Sequence, residues 1–187
     1  MAGGVTYMGY LAIIWHSRTG ASRALAEAVE TGAIEADASD AGAGEQGQGE
    51  AGSRATAVRR IAAEQVEPGD LLGAQGYVFV APENLGTLSG VMKDMFDRTY
   101  YPLLGQIEGR PYASVIAAGS DGTGAAGQVD RIVTGWRLRR VAERMIVVTG
   151  AQTAAEIAAP KRLDRAVLDE AAALGRAMAE GLALGIF

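Results

Sequence analysis

Four short apolar runs punctuate the chain, at residues 10–15 (YLAIIW), 76–81 (GYVFVA), 112–118 (YASVIAA) and 145–149 (MIVVT). Each is β-branched or aromatic in character and apolar throughout rather than alternating. That is the pattern of a parallel strand covered on both faces. A weaker run at residues 55–61 (ATAVRRI) predicts an edge strand. The segments between them follow a helical period instead. Over residues 22–33, Leu25, Ala26, Val29 and Ala33 share one face, with Ser22 as the expected N-cap. Residues 90–98 group Val91, Met92, Met95 and Phe96, and residues 128–135 group Val129, Ile132 and Val133. Residues 163–184 form a long Ala-rich stretch carrying Val167, Leu168, Leu174, Met178 and Leu182. Strands alternating with helices predict an α/β fold, a three-layer α/β/α sandwich around a five-stranded parallel sheet. Right-handed crossovers then gather the strand-to-helix loops at the carboxyl edge of the sheet, where ligands bind in such folds.

Composition sharpens this picture. The 187 residues suit one domain spanning 1–187. Residues 35–53 contain no Val, Ile, Leu, Met or aromatic residue, so they are expected to be a mobile low-complexity surface insertion outside the core. Ala and Gly together supply 62 of 187 residues, while aromatics are only 6%. A flat aromatic ligand would therefore be held mainly by backbone and small side chains. The absence of Cys excludes disulfides, thiol nucleophiles and CxxC redox pairs, and the single His excludes a multi-His metal cage. A net charge of −5 argues against a nucleic-acid partner. No charge-free stretch of about 18 apolar residues points to a membrane span. Residues 1–15 lack the basic start of a signal peptide, so a cytoplasmic location is the expectation.

Three of the predicted edge loops carry candidate chemistry. The first, His16-Ser17-Arg18-Thr19-Gly20-Ala21-Ser22, places three hydroxyls and a glycine between a buried strand and a helix start. Unpaired N–H groups and partial positive charge make such a start an anion site. Without a terminal Lys it is not a Walker A loop, and neutral donors suit a phosphate monoester held without metal. The second loop, at residues 82–90, is polar and carries two glycines, and Asn84 with free backbone amides suits the edge of a heterocycle. The third, at residues 119–127, contains a formal GxGxxG at Gly122, Gly124 and Gly127. It follows the fourth strand and lacks an acid at the tip of the next one, so a dinucleotide fingerprint is disfavoured. A phospho-acceptor receiver domain is excluded because Trp15-His16 and Ala81-Pro82 stand where its acids belong. His16 is expected at the mouth of the pocket, either as a chain-turning residue or as a contact to phosphate or substrate. The basic cluster Arg137, Arg139, Arg140 and Arg144 reads as a solvated, salt-bridged connection, with attraction of NAD(P)H phosphates as the alternative.

At these loops the sequence resembles a family. Residues 17–22 fit the flavodoxin phosphate-loop pattern Ser/Thr-x-Thr-Gly-x-Ser/Thr. Residues 81–98 look like the corresponding loop and helix of NAD(P)H-dependent FMN reductases and flavodoxin-fold quinone reductases. The resemblance spans nearly the whole chain apart from residues 35–53. It implies a flavodoxin-like sheet of order 2-1-3-4-5 that binds FMN, with NAD(P)H as co-substrate. The phosphate would lie on Ser17, Arg18, Thr19, Gly20, Ala21 and Ser22. The isoalloxazine would lie against Pro82, Glu83, Asn84, Leu85 and Gly86 on one side and Gly119, Ser120, Asp121 and Gly122 on the other. No side-chain acid or base is required for hydride transfer, so no catalytic residue is expected. The sequence departs from the electron-carrier flavodoxins in having no aromatic in residues 83–90 or 119–127. An uncovered ring face favours a ping-pong reductase of quinones, flavins or similar small-molecule acceptors over a carrier that docks a redox protein. Tyr100-Tyr101-Pro102 is a candidate wall for the site, and the resemblance implies a homo-oligomer, dimer or tetramer.

Overall fold

The apolar runs become the strands. The computed structural model describes residues 9–41 and 56–187. In chain order the elements are β1 (Tyr10–Trp15), α1 (Ala21–Ala41), β2 (Val58–Ala62), α2 (Pro68–Gly73), β3 (Ala74–Asn84), β4 (Thr87–Leu88), α3 (Gly90–Leu103), β5 (Pro111–Ala118), α4 (Thr123–Gly135), β6 (Arg139–Arg140), β7 (Met145–Val148), α5 (Ala154–Ala158) and α6 (Arg165–Ala183). A single 3-10 turn, Ala63–Gln65, follows β2. The strands run β2-β1-β3-β5 in parallel, with β6 and β7 both on the free edge of β5. This is the expected 2-1-3-4-5 order of a flavodoxin-like three-layer fold, with the fifth strand broken into two short pieces. The one antiparallel member, β4, pairs with the end of β3.

Alternation along β1 divides the core into two layers. Ala12 and Ile14 face a layer containing Met92, Met95, Val129 and Val133 of α3 and α4. Leu11 and Ile13 face Leu25, Val29, Ala171 and Met178 of α1 and α6. The first layer takes the large rings: Phe79 packs 5.2 Å from Phe96 and 6.3 Å from Tyr112, and Phe96 lies 5.5 Å from Trp136, measured between centroids. The second layer is aliphatic, and within it α1 and α6 meet through small residues. A Cβ on Gly32 would overlap the Ala172 carbonyl oxygen, and one on Gly175 would overlap the Val29 carbonyl oxygen. The Ala and Gly content therefore serves backbone-to-backbone packing of α1 on α6.

Several boundaries differ from expectation. Helix α1 begins at Ala21 and runs on to Ala41, so residues 35–41 are helical and not a mobile insertion. Ala36 is buried in the second layer, because an alanine on the right face of a helix completes a small-residue contact without a large side chain. The rest of that segment, 42–53, lies outside the described residues, as does Ala55 at the start of the expected edge strand. Helix α3 continues to Leu103, so Tyr100, Tyr101 and Pro102 lie inside it rather than after it.

A valine at Gly175 has no room beside the Val29 backbone. Gly175→Val is expected to lower stability by about 1–3 kcal/mol. Gly69→Ala, whose Cβ meets nothing within 4 Å inside α2, is expected to raise it by about 0.5–1 kcal/mol. Urea unfolding of the two variants against the parent checks both signs.

Candidate functional site

The loops after β1, β3, β5 and β7 meet at the carboxyl edge of the sheet around a cavity of about 350 Å³. The first loop bends at Gly20, whose φ of +97° lies in the left-handed region that favours glycine. The Gly20 N–H donates to Ser17 Oγ at 3.1 Å, and α1 begins with Ala24 N–H donating to the Gly20 carbonyl at 3.0 Å. The N–H groups of the first turn have no intrahelical acceptors and carry the positive end of the helix dipole.

Ser22 is not the N-cap. It lies within the first turn of α1, lines this cavity, is 1% exposed, and its hydroxyl is buried without a hydrogen-bond partner. The other orphaned hydroxyl among the described residues, Ser114, sits in β5 and lines none of the described cavities. Leaving a buried hydroxyl unpaired costs about 1–3 kcal/mol. The residues present thus fit a ligand that brings acceptor oxygens to the start of α1.

The second loop is not a plain connection. Pro82, Glu83 and Asn84 complete β3, then Leu85 and Gly86 form a two-residue turn with φ values of 52° and 71° into β4. Positive φ at both central positions is the geometry of a tight hairpin turn, unusual here in placing Leu at the first. Glu83 accepts from Gly122 N–H at 2.9 Å and Ala125 N–H at 3.2 Å, capping the start of α4. Leu88 N–H donates to Gln128 Oε1 at 2.9 Å, and a Cβ on Gly124 would overlap the Gly86 carbonyl oxygen. Hairpin and helix are thereby held as one body.

A fourth loop, at residues 149–161, contributes walls that the sequence reading omitted: Thr149, Ala151, Ile157, Ala158 and Lys161. It is zipped to the third loop by Thr149 N–H to the Ala118 carbonyl (2.8 Å) and Gly150 N–H to the Gly119 carbonyl (3.0 Å). It is tied to the first loop by Lys161 N–H to the Thr19 carbonyl (2.7 Å). Its short helix α5 opens on a capping box, Thr153 with Glu156. The Thr153 and Gln152 N–H groups hold the Glu156 carboxyl below its ordinary pKa. The Lys161 ammonium closes α5 by donating to the carbonyls of Glu156, Ile157 (3.1 Å) and Ala159 (2.8 Å). Thr153-x-x-Glu156 and the following Pro160 were the sequence signals for this element.

Of the expected cofactor residues, Ser17, Arg18, Thr19, Ala21 and Ser22 line the cavity, as do Pro82, Glu83, Asn84 and Gly119. Gly20 instead lines a second cavity on the far side of the loop. Leu85 and Gly86 stand away at the hairpin tip, with the Leu85 side chain fully exposed. Ser120, Asp121 and Gly122 are off the wall as well; Gly122 serves as the left-handed N-cap of α4. His16 is turned from the cavity: Nδ1 lies 2.8 Å from Ser89 Oγ and Nε2 3.9 Å from Glu64 Oε1. Burial lowers its pKa below 6.5, with Glu64 opposing and Arg18 assisting. The tyrosines do not wall the site either: Tyr100 and Tyr101 line a separate groove with Lys93 and Arg131. The basic cluster is largely neutralised, Arg140 and Arg144 by Asp130 and Arg137 by Glu108. Among the described residues no group of acids and His could hold a metal ion, and no helix is long and apolar enough to cross a membrane.

Comparison with known proteins agrees with this geometry. The family model for NADPH-dependent FMN reductase matches residues 69–159, from α2 through α5. A flavodoxin from Aquifex aeolicus is 28% identical over 117 residues, 63% of this chain. The chain spans only 54% of that relative's length. Among solved structures, a flavodoxin from the domain Archaea aligns with a TM-score of 0.70 at 15% identity, covering 92% of this chain and 98% of the other. A flavodoxin, WrbA-like protein from Agrobacterium tumefaciens aligns at 0.66 and 16% identity, covering 94% and 98%. The fold is flavodoxin-like, and residues 69–159 resemble the FMN reductase family.

Glu83→Ala removes the anion from the start of α4 and leaves two N–H groups without their acceptor. The expected loss is about 1–2 kcal/mol of stability, with amide exchange at Gly122 and Ala125 accelerated more than in α1. Unchanged exchange there would mean the carboxylate does not hold the loop.

Proposed function

We propose that this chain, acting as one domain over residues 1–187, is an FMN-dependent oxidoreductase that passes electrons from NAD(P)H to a quinone, a flavin or a similar small-molecule acceptor in a ping-pong cycle. The observation that carries the reading is the buried, unpartnered Ser22 hydroxyl at the start of α1, in a cavity lined by hydroxyls and free amides. In this reading Ser17, Thr19 and Ser22 donate to the cofactor's phosphate together with the first N–H groups of α1. Pro82, Asn84, Ala118 and Gly119 flank its ring. FMN, when bound, supplies the electron exchange with nicotinamide and acceptor. The chain's residues hold and orient it and leave one side open, since no aromatic ring is among the cavity-lining residues. That open side is where donor and acceptor would stack in turn. A homo-oligomer in the cytoplasm completes the proposal.

The similarity to the Aquifex flavodoxin supports a second reading, an electron carrier that docks a redox protein. Anaerobic mixing of the FMN-loaded protein with NADPH or NADH separates the two. Rapid bleaching of the flavin band, reversed by a quinone, is the expected result. Bound FMN that neither nicotinamide bleaches would make the chain a carrier, and no flavin binding at all would sink both readings.

Ser22→Ala carries opposite expected signs in the two states. Without flavin it removes an unsatisfied hydroxyl and is expected to stabilise the protein by up to about 1 kcal/mol. With flavin it removes a phosphate donor, and FMN affinity is expected to fall by about tenfold. Thermal unfolding with and without FMN measures both. A Ser22→Ala variant that binds FMN as the parent does would contradict the phosphate assignment.

A further inference from the structure

We propose that the second cavity, on the outer side of the first loop, is a subsite for a phosphate monoester on the adenine-nucleotide half of the electron donor. This inference rests on the reductase reading above. The cavity measures about 420 Å³ and shares Arg18, Thr19, Ala158 and Lys161 with the first, so one wall separates the two. Arg18 and Arg23 both line it and both are exposed. Among the described residues neither guanidinium has a carboxylate partner, in contrast to Arg59 with Asp70, Arg60 with Glu30 and Arg98 with Asp94. Glu27 also faces this cavity but lies 3.9 Å from Arg60 on its other side. The Lys161 ammonium is committed to the α5 carbonyls, so its charge contributes here without directed hydrogen bonds.

The two cavities differ in chemistry as the two phosphates of the reaction would. Hydroxyls and helix amides of the first match a monoester held close and sheltered. Two free guanidinium forks at the second match an exposed dianion, which Arg binds through paired N–H···O contacts. A phosphate monoester carries a charge of about −1.5 to −2 at neutral pH. A nicotinamide dinucleotide phosphorylated on its adenosine ribose carries that group, and the unphosphorylated dinucleotide does not. The sequence reads Arg137, Arg139, Arg140 and Arg144 as a salt-bridged connection, with NAD(P)H phosphates as the alternative; three of those four are held by carboxylates, whereas both guanidiniums beside the first loop lack such partners among the described residues.

The test uses adenosine 2′,5′-bisphosphate and 5′-AMP as probes, titrated calorimetrically into the FMN-loaded protein. The parent is expected to bind the bisphosphate at least about tenfold more tightly, and more weakly as salt is raised. Arg23→Ala removes a side chain that lines only the second cavity, at a helix position where alanine is well tolerated. It is expected to abolish most of that preference and of the NADPH-over-NADH preference in kcat/KM, with FMN affinity unchanged. Equal affinity for the two probes, or a preference that survives Arg23→Ala, overturns the proposal. So does competition between the bisphosphate and FMN, which would place the anion on the inner side of the loop. A parent that binds FMN but shows no bisphosphate preference loses only this subsite. A parent that binds no FMN loses the reductase reading, and the subsite as a donor site with it.

Discussion

The Glu83 carboxylate, sitting on the first N–H groups of α4, is the contact on which the rest of the site depends. It crosses from the end of β3 to the start of the helix after β5 and, with the bond from Leu88 N–H to Gln128 Oε1, joins two successive crossovers. The charge sits where the helix dipole favours it and satisfies donors that would otherwise be left without acceptors. With that clip made, the Gly86 carbonyl and Gly124 come so close that no side chain fits between them. The hairpin tip is then carried out into solvent with Leu85 in a left-handed conformation. Backbone strain of this kind persists only when its surroundings over-determine it, and here they do so from both ends of the hairpin.

How much of this was legible in the sequence follows from which residues carry each feature. The four principal strands were legible because central parallel strands are apolar on both faces, and nothing else in the chain looks like YLAIIW or GYVFVA. The strand order came from the resemblance and not from periodicity. The hairpin was hidden because Pro82, Glu83 and Asn84 read as loop, though they continue β3; their polar side chains point to a site and a helix end rather than to solvent. Helix α1 was read short because beyond Ile34 it lacks large apolar side chains, yet Ala36 is buried. The fourth wall of the site was missed because α5 is one exposed turn with no apolar stripe. Its capping box was the available signal, and it was local rather than periodic. The cavity residues of the first loop, Ser17, Arg18, Thr19, Ala21 and Ser22, were the most legible, since hydroxyls and a glycine stand there between strand and helix. The cavity lining of the third loop was the least, because Ser120, Asp121 and Gly122 stand off the wall and Gly122 caps α4.

The distribution of aromatic residues connects core and site. Phe79, Phe96, Tyr112 and Trp136 all pack in the layer between the sheet and α3 and α4. Trp136 also anchors its indole N–H on the Tyr100 carbonyl at 2.9 Å. The opposite layer, under α1 and α6, is aliphatic, and Gly32 and Gly175 bring the two helix backbones together there. The carboxyl-edge cavity draws most of its walls from short side chains and backbone, so much of its shape is set by main-chain positions. Such a cavity tolerates little adjustment by rotamer change, and its selectivity rests on where N–H groups and hydroxyls point.

The hydrogen bond from Lys161 to the Thr19 carbonyl sets an order of events during biosynthesis. The first loop is among the first described parts of the chain to leave the ribosome, yet its outer wall arrives only when residues 149–161 follow, just ahead of α6. A nascent chain therefore exposes the start of α1 as an incomplete cradle through most of translation. A ligand captured there is closed in only once residues 149–161 have folded against the first loop. Chains cut before α5 would lack the strap that closes the loop, and would hold a ligand there more briefly than chains that carry it.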